Sequence, residues 1–213
     1  MAHPGGPGRG RRPESAPTTM LVVRHGQTTW NAEKRWQGRA DSPLSTLGIA
    51  QAQSAAHVLE PVDVVVTSSL SRAHDTGTII GDALGSPVFT DESLVERDVG
   101  AWTGLTFDEI EAGWPGVLGS GGHPEGWESD DDVAARGLAA LKRIASAHPG
   151  ERVLVVTHGG LIRSVERALG IDSPHLANLG GLRVTIDRDD VTVEDRVEII
   201  DYDAVAATVP ASE

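Results

Sequence analysis

Along this chain, unbroken apolar runs alternate with stretches whose apolar residues recur every three or four positions. Residues 21–23, 62–67 and 152–157 are short β-branched runs bounded by turn residues, the pattern of strands buried on both faces. A shorter strand is expected near 87–90. Between the strands the period lengthens. Leu47, Ala50, Ser54, Ala55 and Val58 share a helical face behind the caps Ser45 and Thr46, and Pro61 ends that helix. Ala73, Thr76, Ile80 and Leu84 make a second stripe, capped by the hydroxyls of the Ser68-Ser69-Leu70-Ser71 stretch. Thr28 to Asn31 opens a capped helical turn, 106–112 reads as a helix, and 113–126 as a glycine- and proline-rich loop. Ser129 caps a long helix with Asp130, Asp131 and Asp132 in its first turn and Val133, Gly137, Leu138, Leu141 and Ile144 inward. Residues 161–169 turn Leu161, Val165 and Leu169 inward, and 182–187 pairs with 191–200 through Arg188-Asp189-Asp190 as a hairpin. This alternation predicts the α/β class: a three-layer α/β/α sandwich around a mostly parallel central sheet.

Composition narrows the class further. The 213 residues suit one domain or a tight pair, with room for a substantial core. No apolar run approaches the roughly 20 residues that span a bilayer. No apolar stretch follows the arginines of the amino end, as a secretory signal requires. Without cysteine there is no disulfide framework, thiolate metal site or cysteine nucleophile, and the cytoplasm is the expected location. Residues 1–17 are mostly Gly, Pro, Arg and Ser with little to bury, so the chain divides into a disordered tail, 1–18, and one domain, 19–213. The tail reads as a solvated extension or as sequence upstream of a start at Met20; its arginines also admit an RNA-binding arm. Net charge is −13, and Arg9, Arg11 and Arg12 against Glu14 in the tail leave −15 on the remainder. Such a body repels nucleic acid and anionic membranes, and neither is expected as a partner. An anionic substrate needs a local basic pocket that overrides this far field.

Four groups stand where such a pocket would form. Arg24 and His25 end the first strand, and Gly26 lets the backbone turn sharply beside them. Arg72 lies in the first turn of the helix after the second strand, where a cation opposes the helix dipole and an anionic ligand explains the placement. His158 ends the run 152–157, followed by the free helix-start amides of Gly159 and Gly160. In a parallel sheet the carboxyl ends share one edge, so the four should converge on a dianion. A phosphomonoester carries roughly −1.5 to −2 charges near neutral pH. A neutral imidazole there can attack phosphorus and split one displacement into two, with Arg24, Arg72 and His158 stabilising the transferring group. Glu96, in a loop with no apolar role, is the candidate to protonate the leaving alkoxide and to activate water.

These residues sit in motifs. Arg24-His25-Gly26-Gln27-Thr28 with Trp30-Asn31, Ser68-Ser69-Leu70-Ser71-Arg72-Ala73, Leu94-Val95-Glu96-Arg97 with Gly100 and Trp102-Thr103-Gly104, and Thr157-His158-Gly159-Gly160 follow one another over about residues 20–170. In order and spacing the set resembles the histidine phosphatase superfamily, its phosphoglycerate-mutase-like branch. The resemblance implies a phosphoglycerate-mutase-like fold and a phosphomonoesterase that needs neither metal nor cofactor. It implies that His25 is the phosphorylated nucleophile, that Arg24, Arg72 and His158 complete the phosphate pocket, and that Glu96 is the proton donor. Asn31 would touch the phosphate, while Gln37, Gly38 and the amide of Gly159 line the site.

Mutases of the family continue the acid motif with Arg-His-Tyr-Gly and a lysine-bearing segment that grips a second anionic group. Here the residues are Arg97-Asp98-Val99-Gly100, and Leu105-Thr106-Phe107-Asp108 has no lysine. Water should therefore reach the phosphohistidine, and hydrolysis should win. Gly126-Trp127-Glu128-Ser129, reaching Arg136, resembles the Gly-Glu-Ser stretch of phosphatase members, with Trp127 in place of a glycine. The opening resembles actinobacterial members, so phosphorylated sugars or phosphoglycerate derivatives are the expected partners, and a homodimer is left open. Two rival readings remain. A cofactor-dependent phosphoglycerate mutase would isomerise with 2,3-bisphosphoglycerate; a catalytically silent phospholigand-binding protein would leave an aryl phosphate intact.

Overall fold

The β-branched runs form the middle of a six-stranded sheet in the computed structural model, which describes residues 16–171 and 175–209. The strands are β1 (Thr18–Arg24), β2 (Val64–Thr67), β3 (Val88–Thr90), β4 (Arg152–Thr157), β5 (Gly180–Asp187) and β6 (Asp190–Glu198), in spatial order β3-β2-β4-β1-β5-β6. The pairings β3·β2, β2·β4 and β4·β1 are parallel; β5 runs antiparallel to β1, and β6 to β5. The helices are α1 (Thr29–Ala32), α2 (Thr46–Val58), α3 (Ser71–Leu84), α4 (Phe107–Gly113), α5 (Val117–Ser120), α6 (Asp130–Ala147), α7 (Gly159–Ala168) and α8 (Tyr202–Ala206). Successive strand residues feed opposite faces. Val22 and Val155 pack under α6 and α7 with Leu141, Ile144, Leu161 and Val165, while Val23 and Val156 pack under α2 and α3 with Ala55, Ala73 and Ile80. The result is the expected three-layer α/β/α sandwich around a mostly parallel sheet. No helix among the described residues is long and apolar enough to cross a membrane.

Several local expectations change. Thr18, assigned to the tail, is the first residue of β1; it is buried and donates to the carbonyls of Ala145 and His148. The remainder of the expected tail, up to residue 15, lies outside the described residues. The buried face of α2 is Gly48, Gln51, Ala52, Ala55 and Ala56, with Val58 exposed. Close approach sets that rotation: a Cβ at Gly48 would stand 1.9 Å from the Gln27 carbonyl oxygen, and Gln51 Oε1 accepts from the Gln27 amide. No serine hydroxyl caps α3, whose N-cap is Leu70 without a side-chain bond. Ser71 is taken by Asp41, and Ser68 Oγ accepts from the Leu70 amide. The 113–126 loop contains α5, held between Gly116 and Gly121 in left-handed conformations. The last strand stops at Glu198, because Ile200 leaves the sheet to enter the α2–α3 core.

Parallel register places the site. Arg24 pairs with Thr157 and Thr67 with Val156, so His25, Ser68 and His158 emerge at the same level on one edge. The His25 amide donates to the Thr157 carbonyl at 3.0 Å.

Candidate active site

The two histidines meet at that edge, with ring centroids 5.2 Å apart and planes tilted by 59°. His25 Nδ1 lies 2.7 Å from the Gly26 carbonyl oxygen, which can only accept, so Nδ1 carries the proton and Nε2 the lone pair. Arg72 Nε donates to Nε2 at 3.3 Å, which agrees with that tautomer. Burial, and the guanidinium groups of Arg72 and Arg24, push the His25 pKa well below the usual imidazole value, so the ring is neutral at physiological pH. The turn that aims it requires glycine. A Cβ at Gly26 would stand 2.6 Å from the Gly48 carbonyl oxygen.

Arg72 is buried, and its fork is held by backbone: Nη1 donates to the Ala40 carbonyl at 2.7 Å and Nη2 to that of Gly38 at 2.8 Å. Burial pulls its pKa down to about 10, which leaves it cationic at neutral pH. Arg24 Nη1 donates to the Leu176 carbonyl at 2.7 Å and approaches His175 Nε2 at 3.5 Å. His158 is wholly buried; its Nε2 lies 2.8 Å from Ser68 Oγ, and its Nδ1 has no partner. Burial, then Arg72 and His25, push its pKa well below the ordinary value too.

Glu96 is drawn to the amino-terminus of α7, where its carboxylate accepts from the amides of Gly160 (3.0 Å), Leu161 (3.2 Å) and Arg97 (2.7 Å). Free helix-start amides favour a negative group at that position. Arg136 braces the segment from α6, donating to the carbonyls of Ser93, Val95 and Glu96 while paired with Glu128.

Arg24, His25, Asn31, Gln37, Gly38, Arg72 and Glu96 line one cleft of about 350 Å³. His158 stands behind His25 rather than on the cleft wall. Gly159 borders an adjoining chamber, and Gly160 takes the expected place in the cleft. Asn31 Oδ1 accepts from the Thr28 amide and from Asn178 Nδ2, so its own Nδ2 is the group left for a ligand. Gln37 is buried, and its Oε1 has no partner. The chain pattern did not single out Arg35, Trp36, His123, Arg163 or Arg167, which also line the cleft, or Asn178, which donates to the His25 carbonyl at 2.9 Å. Only the four-residue spacing of Arg163 and Arg167 was readable beforehand. Six arginines against Glu96 and Asp130 make this the basic pocket that a chain of charge −13 needs for an anionic ligand. A larger cavity of about 390 Å³ opens at the opposite edge of the sheet, around Leu59, Pro61 and Arg152, and has no histidine. Among the described residues no group of three or more histidines, aspartates and glutamates is placed to hold a metal ion.

The family model of the histidine phosphatase superfamily (branch 1) matches residues 20–194. Glucosyl-3-phosphoglycerate phosphatase of Mycolicibacterium vanbaalenii is 38% identical over 179 residues, 76% of this chain and 79% of that protein. Metal-independent phosphoserine phosphatase of Arabidopsis thaliana is 40% identical over 164 residues, 71% of this chain and 68% of that one. Among solved structures, mycobacterial glucosyl-3-phosphoglycerate phosphatase superposes with a TM-score of 0.72 at 32% identity, over 79% of this chain and 90% of the other. Phosphoglycerate mutase of Bacillus anthracis shares the fold (TM-score 0.76, 24% identity, 91% and 97% covered).

Proposed function

The chain belongs to the histidine phosphatase superfamily, branch 1, and from that premise we propose that this phosphatase of small phosphorylated metabolites works through a phosphohistidine on His25. The observation that carries the reading is the His25 Nε2 lone pair, held beside Arg72 in a cleft rich in arginine. A phosphate dianion there meets the guanidinium groups of Arg24 and Arg72 and the Asn31 amide, with the buried His158 ring behind His25. Nε2 attacks phosphorus, the N–P bond forms as the ester P–O bond breaks, and Glu96 in its acid form protonates the departing alkoxide. In the second step Glu96 takes a proton from water as the water oxygen attacks the phosphohistidine, releasing inorganic phosphate. The proton gained there serves the next leaving group. The absence of lysine from 105–108 supports hydrolysis over phosphoryl return, and a chain without cysteine supports residence in the cytoplasm.

Phosphate release from p-nitrophenyl phosphate, with trapping of an acid-labile, base-stable phosphoenzyme, tests this reading. Release without a labelled histidine refutes the covalent step. Isomerisation of phosphoglycerate in place of release makes the protein a mutase.

A further inference from the structure

The alcohol half of the substrate leaves past Glu96, and the groups waiting there are cationic. Arg35, Arg97, Arg163 and Arg167 stand at the mouth of the cleft. Three of them already have carboxylate partners: Arg35 pairs with Glu33 and Glu109, and Arg97 and Arg167 share Asp130. Arg163 has no carboxylate partner among the described residues. Its Nε donates to the Gly159 carbonyl at 3.2 Å, which draws the side chain back towards the start of α7 and leaves both terminal nitrogens without an acceptor among the described residues. A cation held there opposes the helix dipole and disfavours the charge of Arg24 beside it. Glu96 offsets part of the charge on Arg24, but no carboxylate among the described residues pairs with Arg163, whereas an anion bound beside it would.

The space beside it fits one. Arg163 is a wall both of the cleft and of an adjoining chamber of about 90 Å³, bounded by Arg24, His175, Gly159, Gly160 and Leu176, with Glu96 on the cleft side. A planar guanidinium with two free N–H edges matches a two-oxygen anion. We propose that Arg163 and the chamber behind it form a second anion subsite, so that the phosphomonoester taken by this protein carries a further anionic group, carboxylate or phosphoryl, on its alcohol half. The inference rests on the phosphatase reading, since it sets the transferring phosphate at His25. It also moves the grip for a second anion from the lysine-bearing segment of mutases to α7.

Binding tests it apart from turnover. In His25→Ala protein, calorimetric titrations with 3-phosphoglycerate, 1,3-propanediol bisphosphate and glycerol 1-phosphate compare a carboxylate, a second phosphoryl group and a neutral alcohol. At least one of the doubly anionic ligands should bind about tenfold or more tightly than glycerol 1-phosphate, the size expected for a charged hydrogen bond. Which of the two does so identifies the group. Adding Arg163→Gln, a change on an exposed helix face, should erase that preference, and Arg163→Lys should restore only part of it. Equal affinity for all three ligands, or a preference that survives Arg163→Gln, overturns the subsite. Wild-type protein that releases no phosphate from p-nitrophenyl phosphate instead refutes the phosphatase reading, and the titrations still decide on Arg163.

Discussion

Twice in this molecule a parallel strand ends in histidine and glycine and hands over to a helix, and the two imidazoles come out chemically unlike. At the end of β1, the Gly26 carbonyl fixes the proton of His25 on Nδ1 and turns Nε2 towards Arg72 and the cleft. At the end of β4, His158 is covered, tied through Nε2 to a serine from the neighbouring strand end, and left with a bare Nδ1. In the proposed mechanism the same residue type at equivalent strand ends therefore serves as a nucleophile in one place and in charge stabilisation in the other. What reaches each ring from elsewhere in the fold makes the difference.

The sharpest way to break this comparison is to delete each ring in turn. His25→Ala should abolish turnover, by roughly 10⁵-fold or more in kcat, with no phosphoenzyme trapped. His158→Ala should slow kcat by about 10²–10³-fold while the phosphoenzyme still forms. A phosphoenzyme that survives the first change and vanishes in the second would exchange their roles. Glu96→Gln should cost about 10²-fold on alkyl phosphates and clearly less on p-nitrophenyl phosphate, whose leaving group needs no proton, in steady-state assays of both. A uniform loss would remove Glu96 from the proton path. Ser68→Ala, which frees the second ring alone, should lower kcat by roughly tenfold. It should also cost about 1–3 kcal/mol in denaturant unfolding, because the buried Nε2 loses its partner.

The smallest effect concerns pH. Both rings have folded-state pKa values depressed by burial and nearby cations, so below about pH 6.5 the unfolded chain binds more protons than the native one. Stability should therefore be intact above that pH and decline as the pH falls from about 6.5 towards the folded values. The double variant His25→Ala, His158→Ala should show a shallower decline between about pH 6.5 and 5 in unfolding titrations than the wild type. In the same window kcat/KM should show no fall from protonation of His25, whose lone pair stays available.

Much of this site could be read along the chain, and the misses share a cause. His25 and His158 were recognisable because each follows closely on the end of a β-branched run, and Arg72 because it opens the helix after one, boundaries set by neighbours in sequence. Gly159, expected in the cleft, borders the adjoining chamber and Gly160 lines the cleft, because α7 begins at Gly159 rather than at the expected residue 161. On α2, Ala55 is buried and Leu47 and Ala50 pack against the core as hydrophobicity implies. Val58 is exposed and Gly48 and Gln51 are buried, because the close contact of Gly48 with the Gln27 carbonyl shifts the face. Asn178, which holds the His25 carbonyl from 153 positions away, leaves no local pattern at all.

Periodicity and turn chemistry along the chain determined the sandwich, the parallel order of its central strands, and the delivery of two imidazoles and two guanidinium groups to one edge. These depend on residues a few positions apart. Tertiary structure alone decided which imidazole nitrogen faces the cleft, the capture of Glu96 by the α7 amides 64 and 65 residues on, and the pairing of Arg97 and Arg167 with Asp130 while Arg163 has no carboxylate partner among the described residues. Each of these is a contact between elements distant in sequence, and its outcome depends on how the helices pack across the sheet.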